Sequence, residues 1–199
     1  MLPQLRGACT RNGARSQPRA AVLFHEARGY GRGRRDDLPY PPQTANFHHE
    51  IELIVAIGPG GIDIPVDHAL DHVWAYGVGI DLTRRDSQLQ AREQGRPWDW
   101  GKGFDRSAPI APLRPVSEGQ HPKAGRIWLA VDGVLKQESD IAKLIWPVPD
   151  IISICSQSMA LEPGDIIMTG TPEGVGPVQR GEVMTGGIEG LGEIRIAVD

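Results

Sequence analysis

Apolar and polar positions alternate most regularly along His48-His49-Glu50-Ile51-Glu52-Leu53-Ile54-Val55-Ala56-Ile57-Gly58. This pattern, rich in β-branched residues, predicts a strand that ends at Gly58-Pro59-Gly60-Gly61. Val73 to Ile80 is largely apolar and reads as a second, buried strand closing on Asp81, with a short helix over Pro65 to His72 between the two. Thr83 to Gln94 suits a helix, with Thr83 as N-cap, Asp86 three residues on, and Gly95 and Pro97 as stops. Gly125 to Val131 alternates again and turns at Asp132-Gly133, a strong hairpin signal. Asp150 to Leu161 sets Ile151, Ile154, Cys155, Ser158 and Met159 on one helical face. Short strands over 165–169, 182–185 and 192–198 follow, separated by glycine turns, and no internal repeat is present.

Composition agrees with a strand-and-turn fold. The 199 residues include 25 Gly and 17 Pro, and the length suits one sizeable domain. No apolar run approaches the roughly 18 residues of a membrane span, and no signal-peptide core is evident. Cys9 and Cys155 form no CxxC, which excludes a disulfide framework and a thiolate zinc site. The expectation is a soluble, cytoplasmic protein.

Charge changes the picture at one end. Residues 1–35 hold eight of the 21 basic residues, all Arg, and only one of the 25 acids, Glu26. They show neither helical nor strand period, so the domain is expected over 37–199 and an irregular Arg-rich segment over 1–36. Without Lys or interleaved aromatics this arm does not predict nucleic-acid binding.

In a strand, Glu50 and Glu52 share a face about 6.5–7 Å apart, opposite Ile51, Leu53 and Val55. With Asp81 at the rim of the next strand, three carboxylates without Cys suit a hard cation such as Mg²⁺ or Mn²⁺. The same residues equally describe a solvated strand face and a turn. Asp81-Leu82-Thr83-Arg84-Arg85-Asp86 can hold an anion beside a metal or simply pair charges on a helix surface. Lys102 lies between Gly101 and Gly103, which permits close approach to a ligand or plain solvation. Asp165-Ile166-Ile167-Met168-Thr169-Gly170-Thr171-Pro172 runs into a glycine turn of the kind that aims N–H groups and a hydroxyl at an anion, or is a structural turn.

Taken together, these segments resemble the fumarylacetoacetate hydrolase family from about Leu38 to Val198. The resemblance rests on His48-His49-Glu50-Ile51-Glu52-Leu53, Gly79-Ile80-Asp81-Leu82-Thr83-Arg84-Arg85-Asp86 and Leu161-Glu162-Pro163-Gly164-Asp165 through Pro172. Gln94-Gly95-Arg96-Pro97-Trp98 and Lys102-Gly103-Phe104-Asp105 look most like the family's bacterial fumarylpyruvate hydrolase and acylpyruvase branch. The resemblance implies an α+β, mostly β fold: a mixed β-sandwich roll with short peripheral helices, usually a homodimer. It implies Glu50, Glu52 and Asp81 as ligands of Mg²⁺ or Mn²⁺. It implies Arg85, Gln88, Lys102 and Thr171 around a small-molecule 2-oxo acid, with Lys102 and Thr171 supporting catalysis. The implied reaction is hydrolytic C–C cleavage of a 1,3-dicarbonyl acid, most closely fumarylpyruvate to fumarate and pyruvate. Other acylpyruvases, an oxaloacetate decarboxylase or a hydroxymuconate-type isomerase share that site, and an inactive metal-binding homologue is the rival of another class.

The family normally opens with Arg-Asn-Tyr-x-x-His-x-x-Glu-Met, whose His–Glu pair activates water, followed by Phe-Phe-x-Lys-Pro. Neither stands in this sequence. Read one nucleotide out of frame, with suitable synonymous codons, Met1 to Gly13 gives Cys-Tyr-Arg-Asn-Tyr-Ala-Ala-His-Ala-Arg-Glu-Met. In the same frame Ala21 to Arg28 gives Pro-Phe-Phe-Phe-Met-Lys-Pro. The expectation is that residues 1 to about 35 are an out-of-frame translation. His25-Glu26, adjacent in an irregular arm, is a poor substitute for the missing pair.

Overall fold

The computed structural model describes residues 37–199, so the readings of residues 1–36 lie outside the described residues. Its strands are β1 (Asp37–Leu38), β2 (Phe47–His49), β3 (Ile51–Ile57), β4 (Val73–Ile80), β5 (Thr83–Arg84), β6 (Arg114–Pro115), β7 (Arg126–Val131), β8 (Val134–Asp140), β9 (Ile166–Met168), β10 (Gly176–Pro177), β11 (Val183–Ile188) and β12 (Gly192–Val198). Three α-helices flank them, α1 (Arg85–Glu93), α2 (Asp99–Lys102) and α3 (Val148–Ser158), together with 3-10 helices over Val66–His72, as expected between β3 and β4, Val116–Glu118 and Ile141–Lys143.

The strands form a five-stranded sheet, β1-β12-β11-β7-β8, a four-stranded sheet, β6-β4-β3-β9, and a three-stranded ribbon, β10-β2-β5. Every pairing is antiparallel except β1 with β12. The two larger sheets bury their facing side chains in one core. Ile51, Leu53, Val55 and Ile57 of β3 and Val78 and Ile80 of β4 meet Leu129, Met184, Ile194, Ile196 and Val198. This is the mostly-β sandwich with short peripheral helices that the sequence leads one to expect.

Alternation along β3 is obeyed, but both faces are buried. Odd-numbered residues enter the main core, while Ile54 packs with Ala108 and Met168 in a second, smaller cluster. The expected strand over 48–58 is interrupted. His48 pairs with Thr83 in the ribbon and Ile51 with Ile80 in the four-stranded sheet, in one unbroken register. Glu50 and Asp81 occupy the gap where the two chains cross from one sheet to the other, tied by Asp81 N–H to the Glu50 carbonyl at 2.8 Å.

Two local expectations need correction. Thr83 does not cap α1: it is a buried strand residue, the N-cap position is Arg84, and no side chain caps that helix. Asp86 instead reaches across to Thr44 Oγ1 and the Ala45 N–H, at 2.7 and 2.8 Å. The buried face of α3 is Val148, Ile151, Ile152, Cys155 and Ser156, with Ser158 and Met159 exposed. Ser156 turns the helix that way because its Oγ accepts from Ile64 N and donates to Ser153 O, both at 2.8 Å. The Asp132-Gly133 hairpin forms as read, with φ of 48° and 77° at the two turn residues, both left-handed as a tight hairpin requires.

Candidate metal centre and substrate cavity

The gap between the sheets gathers carboxylates. Glu50 ends the crossing from β2, Glu52 lies on the face of β3 opposite the main core, and Asp81 follows β4. One oxygen from each lies within 4.8 Å of the others, and the three are 2%, 0% and 1% exposed. The alternative of a solvated strand face is therefore overturned: these acids are inside.

Cations answer them. Lys102 Nζ donates to Glu50 Oε2 at 2.8 Å, Asp81 Oδ2 at 2.5 Å and Thr83 Oγ1 at 2.7 Å. Arg85 donates to Glu50 Oε1, to Gln88 Oε1 at 2.5 Å and to His48 Nδ1 at 3.3 Å. Lys102 reaches the cluster because Gly101 brings α2 against α1: a Cβ there would lie 3.0 Å from the Gln88 Cβ. Both glycine-flanked Lys102 and buried Gln88 thus belong to the centre.

The glycine turn after β9 supplies the fourth wall. Gly170, at φ 102°, turns its N–H onto Glu52 Oε2 at 2.6 Å, so the anion that this turn meets is a protein carboxylate. Glu52 Oε1 and Asp81 Oδ1 remain buried without a hydrogen-bond partner. Thr171 lies just beyond and, with His48, Glu50, Arg85 and residues 172–175, lines a cavity of about 360 Å³.

Burial without full compensation shifts the acids apart. Desolvation, strengthened by Asp81 and Glu50, raises Glu52 well above the usual carboxylate range. Desolvation, opposed by Lys102, pushes Asp81 up to about 7. Desolvation also works against the Glu50 carboxylate, but Lys102 and Arg85 outweigh it and hold this group below its ordinary value. Burial and then Arg85 draw His48 down to about 4, so it is neutral at pH 7.

Two further participants were not assigned to the site from the sequence. Gln137, on β8, reaches this region from 86 residues away, and His49 hydrogen-bonds to it through Nδ1 at 2.9 Å. His49 stands in a motif the sequence exposes, yet its burial and its partner become visible only in the fold.

Residues 6–199 match the fumarylacetoacetate (FAA) hydrolase C-terminal family. The chain belongs to that family. It is 45% identical over 161 residues to the fumarylpyruvate hydrolase of a Ralstonia species, covering 81% of this chain and 83% of the relative. It is 40% identical over 163 residues to the mitochondrial oxaloacetate tautomerase of Arabidopsis thaliana, covering 82% of this chain and 72% of that protein. The crystal structure of fumarylpyruvate hydrolase from Pseudomonas aeruginosa, in complex with Mn²⁺ and pyruvate, superposes with a TM-score of 0.81 at 57% identity, covering 81% of this chain and 70% of that one. By this kinship the family member described here is an enzyme of the expected class, a hydrolase acting on carbon–carbon bonds. No helix among the described residues is long and apolar enough to cross a membrane.

Proposed function

We propose that this chain hydrolyses fumarylpyruvate to fumarate and pyruvate, using Mg²⁺ or Mn²⁺ held by Glu50, Glu52 and Asp81. The observation that carries the reading is the buried carboxylate triad, one member of which, Glu50, lines a cavity together with Arg85. The donor set suits a hard divalent cation: every ligand is oxygen, and two of those oxygens are buried with nothing else to bind. When bound, such an ion supplies Lewis-acid polarisation of the substrate's oxygens.

The chain's own groups do the rest. Arg85, at the cavity wall, offers its guanidinium to the 2-oxo acid carboxylate. Burial disfavours the Lys102 ammonium, but Asp81 and Glu50 outweigh that and keep it charged, so it stabilises negative charge developing beside them. Gln88 holds Arg85, and Thr171 hydrogen-bonds the substrate from the opposite wall. In the reaction, water's oxygen adds to the fumaryl group's own carbonyl, the one bonded to the methylene, and the bond to the methylene carbon breaks. The electron pair leaves on the pyruvate side as an enolate, which a proton converts to pyruvate. Water activation requires a base, and the family's His–Glu pair is not among residues 37–199.

The test is paired. Mg²⁺ or Mn²⁺ should raise the melting temperature, and Glu50→Gln or Asp81→Asn should abolish that response; an unchanged response in both overturns the ligand assignment. Fumarylpyruvate turnover, followed by loss of its absorbance, then separates an active hydrolase from a metal-binding homologue without activity. Kinship to the oxaloacetate tautomerase supports a second reading. Faster keto–enol exchange of oxaloacetate with fumarylpyruvate untouched would establish it instead.

A further inference from the structure

Gln137 makes four hydrogen bonds, each to a different group, and they fix its amide without ambiguity. Its Nε2 lies 3.0 Å from the Pro172 carbonyl, which can only accept, and its Oε1 lies 3.1 Å from the Ile51 N–H, which can only donate. Two backbone groups thus settle which end of the side chain is nitrogen. The two remaining bonds inherit their direction. Nε2 donates its second hydrogen to Thr171 Oγ1 at 2.8 Å, and Oε1 accepts from His49 Nδ1 at 2.9 Å. His49 therefore carries its hydrogen on Nδ1, and its Nε2 is a buried lone pair without a partner.

The consequence falls on Thr171. Its oxygen already accepts from Gln137, so its own hydrogen must be given elsewhere. Among the described residues it bonds to no other acceptor, and the side chain lines the cavity beside Glu50 and Arg85. We propose that Gln137 is a positioning residue that makes Thr171 a hydrogen-bond donor toward the cavity, selecting an acceptor oxygen such as the carboxylate or enolate oxygen of a 2-oxo acid. The inference rests on the substrate reading above, because it assigns the ligand to that cavity. Gln137 does this while gripping Ile51, the residue between two of the carboxylates, so the donor and the acidic cluster are held in one frame.

The experiment is a double-mutant cycle read by binding. Oxalate, a planar dianion that resembles the enolate of pyruvate, is titrated calorimetrically into Mn²⁺-loaded protein. Thr171→Val and Gln137→Met should each weaken oxalate by about 10- to 100-fold, as expected for a lost bond to a charged acceptor. The double variant should be no weaker than either single one. Mn²⁺-dependent thermal stabilisation should persist in all three. If Gln137→Met misfolds, Gln137→Glu preserves volume and the acceptor for Ile51 and His49. Its second oxygen takes the Thr171 hydrogen, so oxalate should weaken to the same extent. Losses that multiply in the double variant, or wild-type oxalate binding by both Gln137 variants, overturn the inference. A Thr171→Val protein that binds oxalate normally would instead overturn the placement of the substrate against Thr171, and an absent Mn²⁺ response in the wild type would overturn the metal reading beneath both.

Discussion

Glu50, Glu52 and Asp81 are three acids inside a space that two cations partly neutralise, and their unequal protonation is the chemical signature of the centre. Asp81, at about 7, is largely protonated at pH 6, and burial beside two other acids holds Glu52 above its ordinary range, whereas an ion needs both ionised. Metal binding should therefore release protons at pH 6. The Asp81 share should vanish as the pH passes well above 7, and apparent affinity should climb over the same interval. Isothermal titration of Mg²⁺ in two buffers of different ionisation enthalpy measures this directly, and equal heats at pH 6 would contradict it. At this scale the acids, Arg85 and Lys102 were legible through the family motifs that carry them, because residue type and spacing alone also describe a solvated surface. The sequence was not legible for Thr83, which looks like a helix cap and is a ligand of the Lys102 ammonium instead. It was silent on Gln137, whose role exists only where β8 passes under a loop that lies more than 30 residues further along the chain.

Among the elements, the loop from Gly170 to Gly176 depends on one contact that no side chain can share. Gly174 has φ 91°, and a Cβ there would lie 2.0 Å from the Lys136 carbonyl on β8. Gly174→Ala should lift the loop from β8, loosen the Gln137–Thr171 bond and cost about 1–3 kcal/mol in a urea melt. Gly133 offers the contrast. Its φ is 77° but nothing lies within 4 Å of its missing Cβ, so Gly133→Ala should cost only the backbone strain, about 1–2 kcal/mol, without touching the cavity. Comparable effects of both on oxalate binding would refute the distinction. The hairpin at Asp132-Gly133 was legible since turn chemistry is local. The face of α3 was not, because a buried Ser156 with two hydrogen bonds outweighed the apolar pattern that pointed to Met159.

Across the whole molecule, two proposals concern assembly and completeness. The family resemblance implies a homodimer, and Ile62, Trp74 and Trp100 are large apolar side chains left 65%, 53% and 75% exposed on residues 37–199. Sedimentation should give twice the 21.6 kDa chain mass, and a monomer at micromolar concentration would refute it. Residues 1 to about 35 are proposed to be out of frame, so gene sequencing across the codons for Met1 to Pro42 should find a missing or extra nucleotide near Arg35. Restoring the shifted segment should then raise fumarylpyruvate hydrolysis by about 100-fold or more, since it returns a water-activating base. Equal turnover in both forms would place the base within 37–199.

Lys102 has one more implication. Its ammonium bridges Glu50 and Asp81 from within the fold, so the acids do not need a metal for the polypeptide to close around them. On the proposed metal reading, assembly of the protein and acquisition of an ion would be separate events, in contrast to zinc fingers, whose folding waits for the metal. A chelator should strip such a protein without denaturing it. The identity of the ion would then be decided late, by mass action from whichever divalent pool the finished molecule meets, and the same polypeptide would be open to re-equipping when that pool changes.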